Sequence, residues 1–374
     1  MNRTRPPVTH IVLMDGTFAS LADGRRSSVG RIHRLLSGKL GPLPPGRIRI
    51  HYGIGQPWEK WRTVPALMAG RWIEARIVDA YGWLASAYMP GDPVFLIGYS
   101  RGAFGVRSLA GMIGRVGLLR AQSATERNIR LAWRHYRQGA TDRAAAGFRR
   151  RCHEAPRIRM VGCFDTVMAL GVRLPFLWML TEPRFNFHDA HLGAEVDYGF
   201  QALALDETRA VFAPLLWDGS GGAGHIEQCW FRGVHADIGG QLSGMEFARP
   251  LANIPLVWML DRAESVGLPL PDGWRDLFLR DVTAPSLGSW RQWGKLFLAR
   301  APRMAGQFAT ESLHDSVPRS YGGPAILTGE LAGEAAPRRR LRRRGTAAAD
   351  GPQVSDAAAQ QIGPVGDGGA AGAS

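Results

Sequence analysis

The sequence predicts an α/β protein, a mostly parallel sheet with helices on both faces, followed by a disordered tail. Short apolar, β-branched runs each stop at a glycine or turn residue, and stretches of helical period lie between them. Near residue 331 the periodic apolar pattern gives way to Ala, Gly, Pro and Arg. One ordered domain is therefore expected over residues 8–330 and a tail over 331–374.

In chain order, residues 11–14 (IVLM) form the first buried strand and end at Asp15-Gly16-Thr17. Residues 47–52 alternate, with Ile48, Ile50 and Tyr52 on one face, as in a half-exposed strand. A helix is expected over 72–87, a buried strand over 94–99 and a second helix over 105–118. Residues 123–151, crowded with Arg and Ala, read as a helical insertion, either a lid or, in preference, an exposed excursion. Residues 160–164 and 228–231 are further buried strands. Residues 290–303 mix Trp290, Trp293 and Leu298 with Arg291, Lys295, Arg300 and Arg303. That is a helix with a basic outer face, packed on the core or lying at a membrane interface.

A length of 374 residues with 45% hydrophobic content suffices for a large core. Three cysteines without ligand spacing (Cys152, Cys163, Cys229) argue against a disulfide framework or a zinc site. The apolar run after the first arginines stops at Asp15, too short for a signal peptide or membrane span, so a cytoplasmic location as synthesised is expected. The formal charge is +14. Six arginines against three aspartates leave +3 from residue 337 onward, so +11 resides in the rest. Such a surface suits anionic partners such as a membrane, although an Arg-rich composition alone would produce it. No nucleic-acid motif accompanies the charge.

The strand ends carry the chemistry. In open parallel sheets reactive groups gather beyond the carboxyl ends of the strands. Here these are Asp15-Gly16-Thr17, Gly98-Tyr99-Ser100-Arg101-Gly102, Asp165-Thr166 and Gly233-Val234-His235-Ala236-Asp237. G-x-S-x-G between a strand and a helix is a nucleophile elbow, with Gly98 and Gly102 making room for the turn. A serine hydroxyl needs an imidazole to take its proton and a carboxylate to orient that imidazole. Ser100, Asp165 and His235 follow the chain order of such a triad. The competing roles are a helix N-cap for Ser100, a turn acceptor for Asp165 and a loop histidine for His235, with His314 the rival base. The oxyanion would take the Arg101 N–H and a second donor from Gly16 or Thr17. Asp15 either fixes that turn or contributes to a cation site, and Asp237 braces the His235 loop. His188, Asp189 and His191 have a metal-like spacing without a defined partner. No metal or cofactor is expected.

Taken together, Asp15-Gly16-Thr17, YGIG (52–55), YMPGDPVFLIGYSRGAFGVRSLAGMI (88–113), FDTVMALG (164–171), ALALDETR (202–209) and WFRGVHADIGG (230–240) resemble the bacterial α/β-hydrolase family of type VI secretion phospholipase effectors. The likeness covers about residues 8 to 320. It implies a lipase-like serine hydrolase of phospholipid acyl esters, with Ser100, Asp165 and His235 at the matching positions. It also implies export by a type VI system, with a secretion or immunity partner of unspecified identity. The chain departs from the family pattern at Phe18, Ala19, Gln201, Gln241 and Leu242. An esterase or thioesterase for a soluble metabolite is one alternative function. A non-catalytic membrane- or partner-binding module on the same fold is another.

Overall fold

A computed structural model describes residues 5–44, 46–55, 71–139, 141–167, 191–219, 224–290 and 298–335. The apolar runs form six strands, β1 (Val8–Met14), β2 (Arg47–Gly53), β3 (Val94–Tyr99), β4 (Ile158–Phe164), β5 (Val196–Ala204) and β6 (His225–Phe231). The pair β7 (Met304–Ala305) and β9 (Ile326–Leu327) makes a separate two-stranded ladder, and β8 (Glu311–Leu313) joins the main sheet. The main sheet runs in the order β2-β1-β3-β4-β5-β6-β8, and every pairing in it is parallel.

Parallel strands need crossovers, and among the described residues helices lie in those from β1 to β2, β2 to β3, β3 to β4 and β6 to β8. In order the helices are α1 (Ser28–Leu36), α2 (Arg71–Ala87), α3 (Arg101–Val116), α4 (Glu126–Gln138), α5 (Asp142–Arg149), α6 (His235–Gly239), α7 (Arg249–Ser265) and, after the last strand, α8 (Gly329–Ala335). Side chains alternate across each strand, so one run feeds two cores. Val12, Met14, Leu96 and Val161 pack with Ile73, Ile77, Val106 and Leu109 of α2 and α3. Ile11, Leu13, Phe95, Ile97 and Met160 pack with Val29 and Ile32 of α1 and Leu256 and Val257 of α7. β1 has β2 on one side and β3 on the other, so the chain reverses its direction of travel across the sheet there. That switch point opens a crevice at the carboxyl ends of β1 and β3.

The strand expectations hold, with each of β1, β4 and β6 starting two or three residues earlier than read from the sequence. β2 is half exposed, as its alternation implies. β5 has no counterpart in the sequence reading, because Asp197, Tyr198, Gly199 and Gln201 break its apolar run; Gln201 is nevertheless fully buried. The 123–151 insertion is helical, and Ala132, Tyr136 and Phe148 are buried in the core beside α2 and α3.

Two expectations are corrected. The ordered chain does not stop at residue 330, because α8 follows and Leu331 packs with Leu203, Leu205 and Trp230. The segment expected as a helix over 290–303 is extended from Leu298 onward. There Ala301 N–H donates to Thr208 O at 2.8 Å and Ala210 N–H to Ala299 O at 3.0 Å. Over residues 298–303 backbone pairing with the chain after β5 stands where a helix was expected, and residues 291–297 lie outside the described residues.

Candidate active site

β3 ends at Tyr99 and α3 begins at Arg101, so Ser100 must turn the chain alone. It does so at φ 57° and ψ −121°, a conformation that costs a non-glycine residue roughly 1–3 kcal/mol. The flanking glycines make this possible. A Cβ on Gly98 would sit 2.5 Å from Gly102 O, and one on Gly102 would run into Met14 O. Ser100 is buried, and its side chain makes no cap bond to α3. Its Oγ lies 2.9 Å from His235 Nε2 instead.

His235 opens α6, just beyond β6. Its Nδ1 lies 2.5 Å from Asp165 Oδ2, at the end of β4. Asp165 is wholly buried and, like Ser100, has a positive φ, 47°. Burial opposes its charge, yet the Arg303 guanidinium and the hydrogen bonds from His235 and Arg303 outweigh that penalty. Together they hold the carboxyl well below the usual carboxylate range. The structure thus brings Ser100, His235 and Asp165 into one hydrogen-bonded line. His314 stands elsewhere, stacked on Phe231 at 4.5 Å with Nδ1 2.9 Å from Ser316 Oγ.

The turn after β1 abuts Ser100, since a Cβ on Gly16 would lie 3.3 Å from Ser100 Cβ. Asp15 is buried within that turn and accepts from Gly16 N–H at 2.8 Å, Ser27 Oγ at 2.6 Å and Tyr52 OH at 2.7 Å. It acts as the turn's internal brace, and burial raises its carboxyl to about 6 against the pull of those donors. The Gly16 N–H is therefore committed to Asp15 and is corrected as an oxyanion donor. Thr17 remains, its carbonyl held by Gln241 Nε2 at 2.9 Å. Neither the Thr17 nor the Arg101 N–H has an acceptor among the described residues.

Asp237 sits beneath the His235 loop and accepts from Val234 N–H at 2.9 Å, Ser286 Oγ at 2.6 Å and Leu287 N–H at 3.1 Å. Of the metal-like trio, His191 Nδ1 is 2.8 Å from Asp218 Oδ1, while His188 and Asp189 lie outside the described residues. No group of three or more metal-ligating side chains occurs among the described residues.

Four supporting residues escape a reading of the sequence. Arg303 forks onto Asp165, Nη1 to Oδ1 at 2.6 Å and Nη2 to Oδ2 at 2.9 Å. Glu207 Oε2 accepts the His235 backbone N–H at 3.2 Å and pairs with Arg209, whose guanidinium covers the Phe212 ring at 4.3 Å. Phe212 in turn stacks on the His235 ring. The ALALDETR stretch is a signal for Glu207 and Arg209, though without a role. Arg303 has none, being one arginine among many.

Residues 9–262 match the family described as T6SS, phospholipase effector Tle1-like, catalytic domain. The uncharacterized protein YEL023C of Saccharomyces cerevisiae (strain ATCC 204508 / S288c) is 32% identical over 156 residues, 38% of this chain and 21% of that protein. The Tle1 effector bound to the VgrG spike from the type 6 secretion system is 17% identical, with a TM-score of 0.36 over 63% of this chain and 51% of that one. An uncharacterized protein from Pseudomonas aeruginosa is 18% identical, with a TM-score of 0.41 over 72% of this chain and 48% of that one. The chain thus spans about a fifth of the curated relative and about half of each solved structure. With the family match running over more than half of its length, the chain belongs to the Tle1-like catalytic-domain family of type VI secretion phospholipase effectors.

Proposed function

We propose that the chain is a serine hydrolase that cleaves acyl esters of phospholipids through an acyl-enzyme on Ser100. The observation that carries this reading is the relay from Ser100 Oγ to His235 Nε2 at 2.9 Å and from His235 Nδ1 to Asp165 Oδ2 at 2.5 Å. In the reaction His235 takes the Ser100 proton as Oγ attacks the ester carbonyl, and Asp165 stabilises the resulting imidazolium. The Arg101 N–H and the Thr17 N–H hold the oxyanion. His235 then returns the proton to the departing alcohol oxygen, and water repeats the cycle to release the fatty acid. Membership of the Tle1-like family supports phospholipid as the ester.

Export by a type VI system, and a partner on its spike, belong to the same reading. Membership of a family of type VI secretion effectors supports them, and the Tle1 effector of known structure is itself bound to the VgrG spike. The test is fatty-acid release from phospholipid vesicles by the wild type and by Ser100→Ala, with folding checked by circular dichroism. Release by the wild type alone is expected. A wild type that hydrolyses soluble esters but no vesicle lipid would move the substrate to a soluble metabolite.

A further inference from the structure

From the fork of Arg303 on Asp165 we infer that Arg303 is a positioning residue that sets the acid limit of the reaction. The inference rests on the serine-hydrolase reading above and goes beyond it to its regulation by pH. A carboxylate offers about four lone-pair sites. All four are taken here, by His235 Nδ1 and Arg303 Nη2 on Oδ2 and by Arg303 Nη1 and the Ala204 N–H on Oδ1. Arg303 is itself buried, and two carbonyls fix its guanidinium, Ala204 O at 2.9 Å from Nη1 and Phe212 O at 2.6 Å from Nη2. The segment that carries it lies beyond the 9–262 family match.

In a triad without such a cation, the full negative charge of the acid serves the imidazolium. Here a buried guanidinium of opposite sign shares that charge, so Asp165 and Arg303 together are neutral, and the serine proton that His235 accepts takes the three groups to a net charge of +1. The guanidinium keeps Asp165 ionised in acid. Its removal would leave the whole carboxylate charge to the imidazolium that forms on His235.

The other groups around the pair leave this balance to Arg303. Glu207, next to the His235 backbone, is cancelled by Arg209 at 2.5 Å. Asp237 on α6 is tied to Ser286 and to backbone N–H groups, and Asp206 accepts from the Gly233 N–H and from Tyr321 OH. Tyr99, with its ring 5.0 Å from His235, is held far above ordinary phenol ionisation by burial. Asp15 faces Ser27 and Tyr52.

The test is the second-order rate of fluorophosphonate labelling across about pH 5 to 9, spanning ordinary histidine titration, for the wild type, Arg303→Gln and Arg303→Lys. Circular dichroism is recorded on each. The pH at which labelling falls to half should rise by about one unit in Arg303→Gln, and Arg303→Lys should recover at least half of that displacement. A uniform loss of rate at every pH, with the half-point unmoved in Arg303→Gln, would overturn the inference and leave Arg303 as packing alone. Should Arg303→Gln not fold, Arg303→Met is read in the same way: a half-point raised by about one unit supports the inference and an unmoved half-point overturns it. A wild type that takes no label fails the hydrolase reading itself, whereas labelling with no displacement fails only the role of Arg303.

Discussion

The Phe212 ring lies parallel to the His235 imidazole, with centroids 4.7 Å apart and planes 12° apart. Tyr99 places a second ring 5.0 Å from the same imidazole. Arg209 covers Phe212 and ion-pairs with Glu207, so the face that holds the histidine is itself held. Aligning Nε2 on Ser100 depends on that packing as well as on Asp165.

Phe212→Ala should therefore lower kcat about tenfold or more, with KM changed much less, because the imidazole gains freedom to leave the attack geometry. A vesicle or soluble-ester assay measures it. Phe212→Leu, which keeps an apolar surface but no ring face, should fall between the two. Equal rates for all three proteins would detach Phe212 from the reaction.

Ser100 carries backbone strain, and glycine adopts its φ of 57° freely. Ser100→Gly and Ser100→Ala should both be inactive. The glycine variant should be the more stable of the two by about 1 kcal/mol in urea unfolding, strain relief slightly exceeding the entropic disadvantage of glycine. An alanine variant at least as stable as the glycine one would remove strain from the account of the elbow.

Gly102 faces the Met14 carbonyl so closely that any Cβ there would have to displace β1 or α3. Gly102→Ala should be destabilised by about 3 kcal/mol or more, with thermal unfolding as the readout and loss of labelling alongside. A melting temperature equal to wild type would contradict the packing described here.

Two buried carboxylates impose opposite pH dependences on stability. Asp15 is raised by burial from 3.8 to about 6, so between those values the folded chain holds more protons than the unfolded one. Its contribution falls as pH rises through that window, on the order of 3 kcal/mol in all. Asp165 is depressed below the usual range; its contribution is complete above about pH 4 and is lost on further acidification. Asp15→Asn should therefore gain stability relative to wild type as pH is raised from about 4 to 6. Urea unfolding at several pH values measures this, and a difference independent of pH would contradict the burial of a charged Asp15.

The legible parts of the molecule are those encoded within short windows. The runs ending at Asp15, Ser100, Asp165 and His235 announce strands with polar ends, and parallel pairing brings those ends to one edge. β5 is hidden because Gln201 is a buried polar residue, satisfied by Thr166 Oγ1 at 2.5 Å and by the Leu215 carbonyl at 3.1 Å, neither of which a local reading can supply. The extended run from Leu298 is hidden for a related reason. Its partner lies near Thr208, about ninety residues away, and tertiary hydrogen bonds override a pattern that reads as helical. Arg303 reaches Asp165 across 138 positions, a distance over which composition carries no signal. The turn after β1 is legible as a motif, but the commitment of the Gly16 N–H to Asp15 emerges only from geometry.

Peptide-mapping mass spectrometry of the folded chain after reaction with a fluorophosphonate, alongside Ser100→Ala and His235→Ala, tests whether His235 activates Ser100 as a nucleophile. One covalent phosphonyl adduct is expected on Ser100 in the wild type and none in Ser100→Ala, with a rate reduced about a hundredfold or more in His235→Ala. A folded wild type that takes no adduct, or an adduct on another side chain that persists in Ser100→Ala, would contradict that activation.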